Sequence, residues 1–255
     1  MSLLNKIFRR EKKRTRPYCT ALIAAAGSST RYGGENKLLQ PLDGIPVLAR
    51  TLLAIDSAQS IDEIIIAARE DELLAYAELC RTFGIRKRVK VVPGGKTRTE
   101  SVLRAALEAP PETELLAVQD GARPLVTPEL IDKVVSAAQL YHAAAPAVPV
   151  TDTIKIARDG VVESTPDRST LFAVQTPQVF DYDLLRAALQ NALEKKLPIT
   201  DDCSAVEALG MQVHLTDGSE ENIKITTPLD LELAQTILRR RRRACASERA
   251  MMSTD

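Results

Sequence analysis

Apolar and polar positions along the chain switch between two rhythms. Residues 19–26 form a run of small and apolar residues and 63–68, apolar after Glu63, read as the next buried strand, the pattern of strands buried on both faces of a parallel sheet. Residues 88–93, 115–119 and 143–150 read as further strands, and 38–45 as a short strand and turn. Between them lie helical stretches. Pro46 opens one to about residue 58, in a position that suits proline. Residues 71–82 carry Leu73, Leu74, Ala77, Leu79 and Cys80 as one apolar side, and Phe83-Gly84 ends the helix. Residues 99–109 and 127–141 predict two more. This alternation points to an α/β fold whose ligands sit beyond the carboxyl ends of the strands.

The rhythm changes after residue 150. Residues 151–172 read as two short β segments, 153–157 and 161–164, about an Asp159-Gly160 hairpin turn. Such a hairpin is an arm suited to packing on a second subunit. Helices are expected at 181–195 and 201–209, a last main strand at 211–215, and a final helix from Pro228. That helix runs into Arg239–Arg243, where like charges are expected to fray it. The organisation is therefore a basic, flexible leader (1–17), one domain (18–238) with its arm at about 151–172, and a basic, frayed tail (239–255).

Composition narrows the function classes. Lys plus Arg and Asp plus Glu both number 34 in 255 residues, so overall charge argues for neither a nucleic-acid nor a membrane partner. Cys19, Cys80, Cys203 and Cys245 form no C-x-x-C pair, which disfavours zinc and disulfides and makes a reducing cytoplasm the expected location. No apolar run reaches the roughly 18 residues of a membrane span.

Candidate chemistry collects at the strand ends. After the first apolar run, Ala25, Ala26, Gly27 and Ser28 offer unobstructed backbone N–H groups, and Arg31 and Lys37 add positive charge. This is an anion cradle of triphosphate size; an ordinary polar turn is the alternative. Asp120 ends a buried strand, beside a cradle it would repel unless Mg²⁺ lay between them. Gly94-Gly95 ahead of Ser101 could read a base edge, or be a simple turn. Lys224 lies among apolar residues, Arg168 on the arm, and Glu221 is a candidate second metal ligand. His142 and His214 lack a nucleophile at recognisable spacing, and no P-loop or G-x-G-x-x-G is present.

Taken together, several motifs resemble one family. Ala25-Ala26-Gly27-Ser28-Ser29-Thr30-Arg31 with Lys37, Asp120-Gly121-Ala122-Arg123-Pro124, Thr151-Asp152-Thr153, Asp167-Arg168, Gln175-Thr176-Pro177-Gln178, Thr200-Asp201-Asp202 and Asn222-Ile223-Lys224 are similar in order and spacing to the 2-C-methyl-D-erythritol 4-phosphate cytidylyltransferases. The resemblance implies a Rossmann-like nucleotidyltransferase fold, mostly parallel with a projecting β-arm, and a homodimer through that arm. It also implies CTP and a sugar-alcohol phosphate as substrates, and Mg²⁺. By motif, Arg31 and Lys37 would contact triphosphate, Asp120 the metal, and Gly94, Gly95 and Ser101 the cytosine. Arg123 would border the substrate, while Thr153 and Lys224, with Arg168 from a second copy, would hold the sugar phosphate. Ser29, Gln119 and Asn36-Lys37-Leu38 depart from the commoner family residues without removing a charge. Relatives that use ribitol 5-phosphate share most of these motifs. A non-catalytic nucleotide-binding regulatory protein is the alternative of another class.

Overall fold

The computed structural model describes residues 16–27, 32 and 36–252. Its centre is an eight-stranded sheet with the path β10-β7-β11-β6-β1-β4-β5, and β12 on the other side of β7. β1 (Cys19–Ala24), β4 (Glu63–Ala68), β5 (Arg88–Pro93) and β6 (Leu115–Asp120) run parallel. β7 (Ala143–Pro149) pairs in parallel with β12 (His214–Asp217). β2 (Pro41–Leu42) and β3 (Ile45–Pro46) form a separate small hairpin.

Alternation along β1 explains the two layers. Ala21 and Ile23 point into a core with α1 (Val47–Ser57), α2 (Leu73–Thr82), α4 (Pro128–Tyr141) and the first part of α7 (Pro228–Met252). Leu22 points into the other core, with α3 (Arg98–Leu107), α5 (Tyr182–Glu194) and α6 (Asp202–Glu207). A sheet covered on both faces needs strands with no polar face, as the first apolar runs predict.

Two strands escape the apolar pattern. β11 (Gln178–Asp181) is inserted antiparallel between β6 and β7, and β10 (Phe172–Val174) pairs antiparallel with β7. β11 has four residues, and its burial comes from its neighbours rather than its own composition. Gln178 is buried yet satisfied: its side-chain oxygen accepts from the backbone N–H groups of Asp202 and Cys203 at 3.0 and 3.1 Å. The helix expected at 71–82 begins as a 3-10 turn at Glu70–Glu72, and its face is phased differently. Leu74 is 85% exposed, and Tyr76, Leu79 and Cys80 are buried. Glu72 joins that buried stripe because Arg69 pairs with it at 2.6 Å.

The arm is a hairpin of β8 (Ile156–Arg158) and β9 (Val161–Ser164). Its two-residue turn holds Asp159 and Gly160 at φ of 49° and 80°, a left-handed pair that suits an Asp-Gly turn. Ile156, Val161 and Val162 on it are exposed.

The termini correct one expectation. The arginine run does not end the last helix, since α7 continues to Met252. Glu221 pairs with Arg240 and Arg241, and Asp43 with Arg242, so counter-charges offset the repulsion. Of the basic leader, residues 1–15 lie outside the described residues, while Arg16 is fixed by Asp62 at 2.8 Å. No helix among the described residues is long and apolar enough to cross a membrane.

Candidate active site

A cavity of about 390 Å³ opens at the carboxyl ends of β1 and β6. Ala25, Ala26, Gly27, Lys37, Gly95, Ser101, Asp120 and Lys224 all line it, so most residues singled out in the sequence converge. Ser28 and Arg31 lie outside the described residues. Lys37 is placed by its neighbour: the Asn36 side chain donates to Glu72 and to the Tyr76 hydroxyl, and accepts from the Leu38 N–H at 2.9 Å. The departure at Asn36 thus ties the end of the cradle to α2.

The glycine turn works through close approach. A Cβ on Gly94 would come within 2.6 Å of the Ala26 Cβ and 3.3 Å of the Ala68 carbonyl oxygen. Gly94 therefore lets the ends of β1, β4 and β5 draw together. Gly94→Ala is expected to lower unfolding free energy by about 1 to 3 kcal/mol, the usual cost of overpacking, which urea melts would read. The Ser101 hydroxyl accepts from the Gly95 N–H at 2.9 Å and donates to the Thr97 carbonyl at 2.8 Å. Its first duty is to shape this turn.

Asp120 is the electrostatic centre. It is 6% exposed, with Lys224 Nζ at 2.9 Å, Arg123 Nε at 3.4 Å and Arg98 Nε at 3.7 Å from its carboxylate. Burial alone would raise its pKa, but Lys224, Arg98 and Arg123 outweigh it and bring the value to about 2. The carboxylate is ionised at neutral pH and sits amid excess positive charge. Such a field favours a polyanionic guest.

Backbone bonds hold this cluster in place. The Asp120 N–H donates to Thr176 Oγ1 at 3.1 Å, and the Gly121 N–H to the Ala24 carbonyl at 3.1 Å. Arg123 donates to the Asn222 carbonyl at 2.6 Å, and the Ile225 N–H to the Ala122 carbonyl at 2.8 Å. The loop after β6 and the loop bearing Lys224 are thus stitched together. Arg123 acts from behind the cavity; it does not line it.

Arg98, Thr226 and Tyr32 also line the cavity and were not foreseen. Arg98 also reaches Asp202 Oδ2 at 2.7 Å, although neither oxygen of that buried carboxylate receives a well-directed hydrogen bond. Burial raises the Asp202 pKa, only partly offset by Arg98. The signal for Arg98 was its place on the first turn of the helix after the glycine turn, where a side chain faces the same strand ends.

Other candidates lie elsewhere. Thr153 and Arg168 are exposed on the arm, and Arg168 donates to the Thr151 carbonyl at 2.7 Å. Neither reaches the cavity of its own chain. Glu221 faces Arg240 and Arg241 instead of the cavity, so it is no second metal ligand. His142 pairs with Asp181 at 2.7 Å, and His214 stacks on Tyr141; both are remote. Among the described residues no group of three or more His, Cys, Asp or Glu could enclose a metal. The donors fit a hard cation held by one carboxylate together with a guest's phosphate oxygens, as Mg²⁺ often is.

Residues 19–240 match the family described as 2-C-methyl-D-erythritol 4-phosphate cytidylyltransferase. The chain belongs to this family. A cytidylyltransferase of that name from Synechococcus elongatus is 44% identical, over 86% of this chain and 96% of the relative. Another from Desulforamulus reducens is 45% identical, over 88% and 97%. Among solved structures, the 4-diphosphocytidyl-2C-methyl-D-erythritol synthase of Anaerococcus prevotii has a TM-score of 0.79 at 31% identity, covering 88% of this chain and 96% of that one. The Thermus thermophilus cytidylyltransferase has a TM-score of 0.70 at 32% identity, covering 87% and 99%. The family match spans the residues of the parallel sheet and the arm alike.

Proposed function

We propose that this chain transfers CMP from CTP to 2-C-methyl-D-erythritol 4-phosphate in isoprenoid precursor synthesis, releasing pyrophosphate. The observation that carries the reading is the ionised, buried Asp120 amid Lys224, Arg98 and Arg123, at a cavity walled by Gly27, Lys37 and Gly95. A phosphate oxygen of the sugar phosphate attacks the α-phosphorus in line; the new P–O bond forms as the bond to the β-phosphate oxygen breaks. That nucleophile is already ionised near neutral pH, so no general base is needed, and neither histidine lines the cavity. Catalysis then rests on positioning two polyanions and stabilising charge in a partly dry site.

Each residue takes a role. Lys37, with Arg31, holds the triphosphate, and the Ala25-Ala26-Gly27-Ser28 backbone cradles it. The Gly94-Gly95 turn shaped by Ser101 borders the cytosine. Lys224 faces the transferring group and keeps Asp120 ionised, while Arg123 orients Asp120 from behind. Asp120 would hold Mg²⁺ with phosphate oxygens, and the bound ion would neutralise charge on the transferring group and the leaving pyrophosphate. Thr153 and Arg168 lie outside their own cavity, and the arm's apolar residues are exposed. In this reading a homodimer forms through the arm, and each copy lends those two residues to its partner's sugar-phosphate pocket. Buried, unpaired Cys19, Cys80 and Cys203 suit a cytoplasmic location.

Pyrophosphate release, measured with each of the four NTPs against methylerythritol phosphate and ribitol 5-phosphate, tests the whole reading. Release is expected with CTP and methylerythritol phosphate. Preference for ribitol 5-phosphate would change the substrate, and no release with any pair would point to a binding protein.

A further inference from the structure

The matched family segment ends at residue 240, but α7 does not. One turn of that helix touches both loops that build the charge cluster. Arg241 Nε donates to Glu221 Oε2 at 2.6 Å, and its two terminal nitrogens both donate to the Leu125 carbonyl at 3.1 Å. Leu125 follows the Asp120–Pro124 loop, and Glu221 immediately precedes Asn222-Ile223-Lys224. The Arg241 side chain is 31% exposed and that of Glu221 25%, so the contact is partly shielded from water. Arg240 adds a second bond to Glu221 from the same helix.

We infer that Arg241 is a positioning residue for the transfer reaction: it clamps the Asp120 loop to the Lys224 loop from outside the cavity. The physical case is its fork. A planar guanidinium can satisfy a carboxylate on one edge and a carbonyl on the other, fixing the distance between the two loops in a way an ammonium cannot. The Asp120–Lys224 contact lies at the meeting of those loops, already joined by Arg123 to Asn222 and Ile225 to Ala122. Those bonds set the register, and Arg241 holds it under thermal motion.

The inference rests on the transferase reading, so its test has one readout that needs no turnover. Hydrogen exchange is compared in the parental chain, Arg241→Met and Arg242→Met. Arg242 contributes the same charge one residue on but pairs with Asp43, away from both loops. The Ile225 amide, which bonds the Ala122 carbonyl across the two loops, is expected to exchange about tenfold faster in Arg241→Met, the protection one charge-assisted bond supplies, and at the parental rate in Arg242→Met. In the pyrophosphate assay, kcat of Arg241→Met is expected to fall about tenfold, within the range caused by sub-ångström misplacement of reacting groups. KM for CTP should hold, because Lys37 and the Gly95 turn are untouched. Arg241→Lys, which keeps the charge and stem, guards against misfolding and should shift both readouts the same way. Unchanged exchange in both Arg241 variants, or equal effects from Arg242→Met, would overturn the clamp. Inactivity of the parental chain would overturn the transferase reading, and the exchange result would still decide the clamp.

Discussion

Asp120→Asn is expected to cut pyrophosphate release by about a hundredfold to a thousandfold, the range for loss of one preorganised electrostatic contact in a water-poor site. The substitution keeps the shape but removes the negative charge that Lys224, Arg98 and Arg123 face. It also has a stability signature. The Asp120 pKa lies at about 2 against an ordinary 3.8, so its contribution is present above about pH 4 and lost as pH falls towards 2. A shift of that size corresponds to about 2 kcal/mol. Urea melts of parental and Asp120→Asn proteins should therefore differ most at neutral pH and converge in acid. A gap that stays constant from pH 2 to 7 would show that the cluster does not hold Asp120 ionised.

Lys224→Met should come close to the same loss of turnover for a different reason. Lys224 lowers the Asp120 pKa more than either arginine does, and it also lines the cavity as a cation. Removing it weakens the site's grip on phosphate, with a cost of about a hundredfold in kcat/KM. At the same time the Asp120 pKa must rise, because burial is then less opposed. The acid loss of stability should therefore be smaller than in the parental chain and be complete at a higher pH. Turnover near the parental value would remove Lys224 from the mechanism, whatever the melts show.

Much of this was readable in the sequence, for definable reasons. β4 and β5 keep the bounds expected for them; β4 is buried throughout, with Ile64 to Ala68 an unbroken apolar run, while β5 lies at the sheet edge and alternates exposed Arg88 and Lys90 with valines. Lys37 and Asp120 declared themselves as charges beside turn-formers and Lys224 as a cation between apolar residues, and the fold brings all three to one cavity. What stayed hidden depends on the partner, not the segment. β11 is a strand only because β6 and β7 flank it. Arg98 looks like any polar residue in a helix's first turn until Asp120 and Asp202 are seen on either side. Arg239–Arg243 reads as self-repelling until Glu221 and Asp43, far away in the chain, are placed against it. Leu74, read as part of the apolar side, is exposed while Tyr76 is buried, because a paired Glu72 occupies the buried stripe.

The antiparallel insertion of β11 also bears on how the chain is made. During synthesis, β6 emerges after β1, β4 and β5, so its partner along one edge is already present. Its other edge has no partner until residues 178–181 leave the ribosome, and the Thr176 hydroxyl that receives the Asp120 N–H arrives with them. Closing a loop of that length costs entropy before it gains contacts, so the carboxylate end of β6 is finished late. Lys224 arrives later still. A nascent chain can therefore build its first parallel strands early, yet it has no charge cluster until Lys224 has been made.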